Sequence, residues 1–292
     1  MELRVLSYFL TVAREENISR AADILHITQP TLSRQLSELE EELGVQLLYR
    51  GKRKTTLTEA GMLLRKRAEE ITTLTEKTKQ EFQHATAVMA GDIYIGCGET
   101  YSMHFLAKIA KKLQTSYPHI HYHLFSAKAD DVIERLEKGL LDFGVLIEPS
   151  DIKRYHSLEL PDTDTWGVLM RKDSPLSNKA TILAQDLWDV PLLVSQQALS
   201  THELYNWIQK EPEQLNIVTT YNLLYNASLM VKEGLGYALC LDRIIPTSQD
   251  SPFCFRPLYP KLPARVYLIW KQHRFFSKAA ALFHEELSKA LL

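Results

Sequence analysis

The stretch from Asn17 to Gly61, NISRAADILHITQPTLSRQLSELEEELGVQLLYRGKRKTTLTEAG, decides how the rest of the chain is read. Asn17 suits an N-cap, because its side-chain oxygen can take an orphan amide of the helix that follows. Ala21, Ala22 and Leu25 give that helix a small apolar face, so another helix can cross close by. Ile27 closes a tight turn, Thr28 can cap, and Pro30 is tolerated in the first turn of the next helix, where its missing amide would have had no partner. Leu32, Leu36, Leu39 and Leu43 then recur at spacings of three and four, which buries one stripe.

The opposite stripe of that second helix carries Gln29, Ser33, Arg34 and Ser37, behind a polar lip of Thr28, Gln29, Pro30 and Thr31. Gln suits adenine and Arg suits guanine, so these are the groups a recognition helix in a major groove requires. After Gly44 the chain reads as two short strands, Val45 to Leu48 and Thr55 to Leu57. The residues between them include Arg50, Gly51, Lys52 and Arg53, a basic wing able to reach a phosphate or the minor groove. An ordinary amphipathic hairpin with a solvated charge cluster would share the periodicity alone. The spacing of Phe9, Ala21, Ala22, Leu25, Thr28, Gln29, Pro30, Ser33, Leu39, Glu40, Leu43, Gly44, Leu47, Arg50, Arg53, Leu57, Thr58, Ala60 and Gly61 resembles the N-terminal domain of LysR-type transcriptional regulators. That family often has Gly-Ser before the second helix and Phe after Leu47, where this chain has Glu16, Asn17 and Leu48. Neither departure touches an expected DNA contact.

With 292 residues the chain is too long for one small core and points to two or three domains. Hydrophobic residues at 45% and charged residues at 24% describe a globular protein rather than a disordered or membrane one. The net charge is only -2, so attraction to DNA has to come from local placement, chiefly Arg34 and the Arg50 to Lys54 cluster, against the acidic run Glu38 to Glu42. Met1 leads straight into an amphipathic helix, Glu2 to Arg14, without a basic and apolar leader, and the expected location is the cytoplasm. Cys97, Cys240 and Cys254 form no closely spaced pair; apolar runs around Cys97 and Cys240 read as buried strand thiols.

Thr58 can cap a long helix running to about Ala87. Along it Leu64, Ala68, Ile71, Thr75, Thr78, Phe82 and Ala85 alternate spacings of four and three, a coiled-coil seam that implies dimerisation and a DNA site with dyad symmetry. From Gly91 strands and helices alternate, the signature of an α/β domain with a largely parallel sheet. A second such unit starts near Trp166, and a last strand, Arg265 to Trp270, with a closing helix returns to the first. The spacing of Gly91, Gly96, Leu106, Pro118, Leu136, Gly139, Asp142, Asp173, Pro175, Leu187, Pro191, Val231, Gly234 and Gly236 is similar to the effector-binding domain of the same family.

The expected fold is therefore multidomain. An all-α-rich winged helix-turn-helix N-terminal domain (1–58) leads through a linker and dimerisation helix (59–88) to a two-lobed α/β, periplasmic-binding-protein-like effector domain (89–292). Lobe I is expected at about 89–162 and 265–292, and lobe II at about 163–264. The resemblance implies a ligand-responsive, sequence-specific DNA-binding regulator that is a homodimer or homotetramer. Its partners would be double-stranded DNA and a small-molecule effector, with RNA polymerase admitted as a further one; no cofactor and no membrane contact are expected.

Ligands in open α/β sheets sit at the carboxyl ends of strands beside helix N-termini. That rule places Thr100, Ser102, Ile147, Gln196, Asn222 and Asn226 at an effector cleft, although each alone could be a cap or turn residue. Glu99 and Glu148 stand near the rim and would oppose a dianionic ligand unless they point away. Competing chemistry is weaker. Gly96, Cys97 and Gly98 begin like a dinucleotide fingerprint, but Tyr101 stands where its third glycine belongs. His119, His121 and His123 share one strand face, where three ligands seldom converge on one ion, so a solvated or subunit-contact face is the reading. No nucleophile elbow, Cys-x-x-Cys pair or phosphate-binding loop is found, and the chain is read as no enzyme. The alternative is a cytoplasmic small-molecule-binding protein whose N-terminal domain only dimerises, and the Gln29, Ser33 and Arg34 face argues against it.

Overall fold

The computed structural model describes the chain except residues 52–53, 84–88, 148–151, 197, 199–201, 273–274 and 292, together with the side chains of residues 80–83, 202 and 205. Two compact units result, Met1–Ala85 and Thr86–Leu292.

In the first unit, α1 (Leu3–Glu15) buries Val5, Leu6, Phe9 and Val12 on one face. Asn17 accepts the Arg20 amide at 2.9 Å and so caps α2 (Ile18–Ile24). Thr28 precedes α3 (Gln29–Leu43), but its hydroxyl bonds to that of Thr31 at 2.8 Å instead of capping a backbone amide. Ala21, Ala22, Leu32, Leu36 and Leu39 meet Phe9 and Val12 in one core, each fully buried Leu or Phe contributing about 1.5–3 kcal/mol. Leu43, expected in that stripe, is 39% exposed, because Gly44 takes a left-handed φ of 67° there and turns the chain away.

The wing starts later than the sequence suggests. β1 is Leu48–Arg50 rather than Val45 to Leu48, and it pairs antiparallel with β2 (Thr55–Leu57). Glu40 accounts for the shift, since its carboxylate accepts the Leu47 and Leu48 amides at 2.8 and 3.0 Å and takes those donors away from a partner strand. Thr58 caps α4 (Glu59–Gln83) by accepting the Gly61 amide at 3.0 Å. A Cβ on Gly61 would lie 2.1 Å from the Leu47 carbonyl oxygen, so only glycine lets this helix start so close to the wing. The expected seam is partly used within the unit: Leu64 packs on the helix-turn-helix core and Ala68 is fully buried. Met62, Leu63 and Leu74 are the exposed apolar residues of α4 instead. The side chain of Phe82 and the whole of Ala85 lie outside what is described.

The second unit runs β3 (Ala90–Cys97), α5 (Met103–Ser116), β4 (His119–Ser126), α6 (Ala129–Glu137), β5 (Phe143–Ile147), β6 (Tyr155–Glu159), β7 (Asp164–Arg171), β8 (Leu192–Ser195), α7 (His202–Ile208), β9 (Ile217–Tyr221), α8 (Leu224–Lys232), β10 (Tyr237–Leu241), β11 (Phe253–Pro257), β12 (Pro263–Ala264), β13 (Val266–Lys271) and α9 (Lys278–Leu291). One sheet has the order β4-β3-β5-β13-β6; the other has β11-β7-β10-β8-β9, with β12 on β7. Phe143, Leu268 and Phe283 pack in the core of the first. In the second sheet Val168 and Met170 face one apolar cluster while Leu169 faces another, the period of two that covers both faces of a strand.

The sheets are mixed rather than largely parallel. β3 pairs parallel with β4 and β5, and β8 with β9 and β10, whereas β13 and β7 run antiparallel to their neighbours. β7 and β13 are the strands at which the chain enters a sheet from the other lobe, so no crossover helix within one sheet fixes them parallel. Of the unforeseen strands, β6 and β11 are sheet edges and β12 is a two-residue pairing on β7. β6 carries only Tyr155 and Leu158 inward, too few residues to mark a strand by alternation.

Candidate nucleic-acid interface and effector cleft

Because α3 commits Leu32, Leu36 and Leu39 to the core, its other side is left outward. Thr28, Gln29, Pro30, Thr31 and Arg34 are exposed, and Ser33 and Ser37 are half-buried beside them. Arg34 pairs with Glu38 at 3.1 Å with 77% of its side chain exposed. A solvated pair of this kind is worth little, so the guanidinium is available to another anion. Arg50 is not the free wing arm its sequence position suggests. Its side chain lies across α3, donating to Ser33 Oγ at 3.1 Å, Ser37 Oγ at 3.0 Å and Glu40 at 2.7 Å. At the hairpin, Lys54 pairs with Glu16 at 2.7 Å; Lys52 and Arg53 lie outside the described residues.

In the second unit the loop after β3 does not leave its hydroxyls free. Ser102 is fully buried and donates to the Asp162 carbonyl at 2.8 Å, while Thr100 donates to the buried Asp164 carboxylate. Both tie the first sheet's loop to the chain as it crosses to the second. Arg243 closes the same knot, donating to Thr163 O at 3.0 Å and Asp164 at 3.2 Å and stacking over Tyr101 at 4.2 Å. Burial pushes the Asp164 carboxyl above the usual carboxylate range, and the Thr100 hydroxyl opposes that shift. Ile147 packs on the core of the first sheet. The Thr100 and Ser102 side chains therefore serve as ties, a role the local sequence could not show because Asp162 and Asp164 are some sixty residues away.

The remaining expected residues do gather at one place. The Gln196 amide donates to Tyr221 O at 2.9 Å, Asn222 accepts the Leu223 amide at 3.0 Å, and Asn226 is exposed on α8. All three sit where β8 and β9 end and α8 begins. Glu99, which the sequence left undecided, crosses to this point and accepts the Leu224 amide, so a carboxylate faces the positive end of α8. Glu148 lies outside the described residues. The motif that sequence reading missed is Asp242 with Arg243, paired at 3.2 Å just after β10.

Cys97, Cys240 and Cys254 are all buried, and burial raises each thiol, Cys240 to about 12; a thiolate is the reactive form. His119, His121 and His123 are exposed on β4, with His123 against Asp92 at 2.8 Å. No metal-binding group of His, Cys, Asp or Glu forms among the described residues.

An exposed polar helix face on a winged helix-turn-helix, followed by a two-lobed α/β module, defines a DNA-binding regulator with a sensory domain. The family profile described as bacterial regulatory helix-turn-helix protein, lysR family, matches residues 3–62, and that of the LysR substrate binding domain matches residues 87–292. The chain belongs to the LysR family: it is a LysR-type, DNA-binding transcriptional regulator with an effector-binding domain. A hydrogen peroxide-inducible genes activator of Dickeya chrysanthemi is 30% identical over 271 residues, 91% of this chain and 88% of that one. The uncharacterized HTH-type transcriptional regulator YvbU of Bacillus subtilis is 28% identical, over 98% of this chain and 97% of its own. The fold matches the crystal structure of CbnR, a LysR family transcriptional regulator, with a TM-score of 0.78, 20% identity and full coverage of both chains. CbnR has also been solved in complex with its target DNA. No helix among the described residues is long and apolar enough to cross a membrane.

Proposed function

We propose that α3 enters the major groove of duplex DNA, with Thr28, Gln29, Pro30, Thr31, Ser33, Arg34 and Ser37 at the bases and phosphates, Arg50 laid across α3 beside the two serines, and Lys52 and Arg53 on the flanking backbone. The exposed face of α3, opposite a stripe wholly committed to the core, is the observation that carries this reading. Residues 1–58 form the reader, 59–88 the linker that pairs two copies, and 89–292 the sensor, with lobes at about 89–162 plus 265–292 and at about 163–264. The effector binds between the lobes, where Gln196, Asn222 and Asn226 gather near Glu99, with Ile147 lining the first lobe and Thr100 and Ser102 holding the crossover beneath. Two copies, or a pair of such dimers, read a dyad-symmetric site in the cytoplasm. The protein needs no cofactor and catalyses no reaction. The buried, protonated thiols favour a noncovalent small-molecule signal over the peroxide named for its Dickeya relative.

The test is a footprint on the DNA flanking its own gene, run over a salt series with the parent and Arg34→Ala. A symmetric protected site that weakens steeply with salt and fades in the variant is expected. Equal protection by both would remove Arg34 from the interface, and absence of any retained genomic fragment at low salt would sink the DNA reading.

A further inference from the structure

The acidic run Glu38 to Glu42 looks like a liability beside a DNA-binding face, yet one of its members is built into that face. Glu40 is nearly buried, with 16% of its side chain exposed. One carboxylate oxygen accepts the Leu47 and Leu48 amides at 2.8 and 3.0 Å, and the other accepts Arg50 Nη2 at 2.7 Å. Ser33, Ser37 and Glu40 lie at spacings of four and three on α3, so one planar guanidinium can span all three. Arg50 does so, Nη1 reaching Ser33 and Nη2 reaching Ser37 and Glu40.

We propose that Glu40 is a positioning residue for DNA recognition: it lays the Arg50 guanidinium on α3 and so fixes the Ser33 and Ser37 hydroxyls as outward donors. This rests on α3 being the DNA-reading face. A serine hydroxyl has one hydrogen and two lone pairs. Once a lone pair of each accepts from Arg50, its hydrogen is free to turn toward an acceptor outside. The pair of serines can then donate to acceptors on DNA, with one lone pair of each already taken by Arg50. Two acceptors share that chemistry, a phosphate oxygen and the N7 or O6 edge of a purine. Pairing with Glu40 also offsets the charge of Arg50, so this part of the face adds direction more than bulk attraction.

The test uses the full-length protein with two duplexes, its own protected site and a random fragment of equal length, over a salt series. In Glu40→Gln the amide oxygen still accepts the Leu47 and Leu48 amides, but the amide nitrogen now opposes the guanidinium. Arg50→Lys leaves both backbone bonds of Glu40 intact and removes the fork, so it reports even where the first variant folds poorly. Each variant is expected to bind the specific site about ten-fold more weakly. The double variant is expected to lose no more than either single one, because both act through one contact. Loss on the specific duplex alone assigns the serines to a base edge; equal loss on both duplexes assigns them to phosphate. Parent-like affinity in both single variants, or additive losses in the double, would overturn the proposal. A parent protein that retains neither duplex at low salt would instead refute the DNA reading on which it stands.

Discussion

The two functional regions use similar residues to opposite ends. On α3, polar side chains at the start of a helix stay exposed because the helix's other stripe alone meets the core. At the start of α5, the hydroxyls of Thr100 and Ser102 are taken up by Asp164 and the Asp162 carbonyl. A hydroxyl near a helix N-terminus thus stays exposed in one region and is a structural tie in the other. The difference is whether a distant segment of chain arrives with an acceptor.

Substitutions can break that comparison, beginning with the core beneath α3. Phe9→Ala should destabilise the protein by about 3–5 kcal/mol, because Phe9 is fully buried among α1, α2 and α3. Urea unfolding with a shifted midpoint and an unchanged slope would establish it. Gln29→Ala should leave that midpoint within about 0.5 kcal/mol of the parent and weaken specific DNA binding by about 1–3 kcal/mol, read by titration on the footprinted duplex. A stability loss with unchanged binding would reverse the assignment of this face.

Thr100→Val should behave oppositely to Gln29→Ala. Removing a donor from the buried Asp164 should cost about 1–3 kcal/mol of stability, whereas exposed Asn226→Ala should stay within about 0.5 kcal/mol of the parent. Chemical denaturation of the pair decides it, and a neutral Thr100→Val would return that hydroxyl to the ligand.

A smaller effect concerns pH. His284 lies against Trp270, Phe276 and Phe143, and burial, then the neighbouring His156, hold its imidazole below the ordinary histidine range. The folded state therefore favours the neutral ring. Its contribution is complete above the ordinary value of about 6.5 and is lost as pH falls through the lower folded one. Thermal unfolding midpoints should drop on acidification through this range, and His284→Phe should flatten the drop; an identical pH profile would exclude the ring as its cause. The smallest expected change is none at all: brief peroxide treatment should leave all three native thiols titratable after unfolding, because burial keeps them protonated. Loss of a thiol would make the chain a redox sensor after all.

Much of the first unit was legible in advance because its signals are local. The Asn17 cap, the leucines of α3 and the polar stripe opposite them need only a few neighbouring residues to be read. The wing's register was not legible, since Glu40 holds Leu47 and Leu48 from seven and eight residues away. In the second unit, alternating apolar runs marked the inner strands, while β6 and β11 carried too little inward-facing sequence or lay at an edge.

By itself the sequence determined what each segment prefers: two helices about a tight turn, a long helix without proline, strands and helices in alternation, and a family likeness carried by spacing. Only the tertiary structure decided what each polar side chain faces. It turned Arg50 onto α3, closed Thr100 and Ser102 over the crossover, and brought Glu99 to the N-terminus of α8. The physical reason is that periodicity reports burial, whereas a hydrogen bond depends on the partner that the rest of the chain supplies.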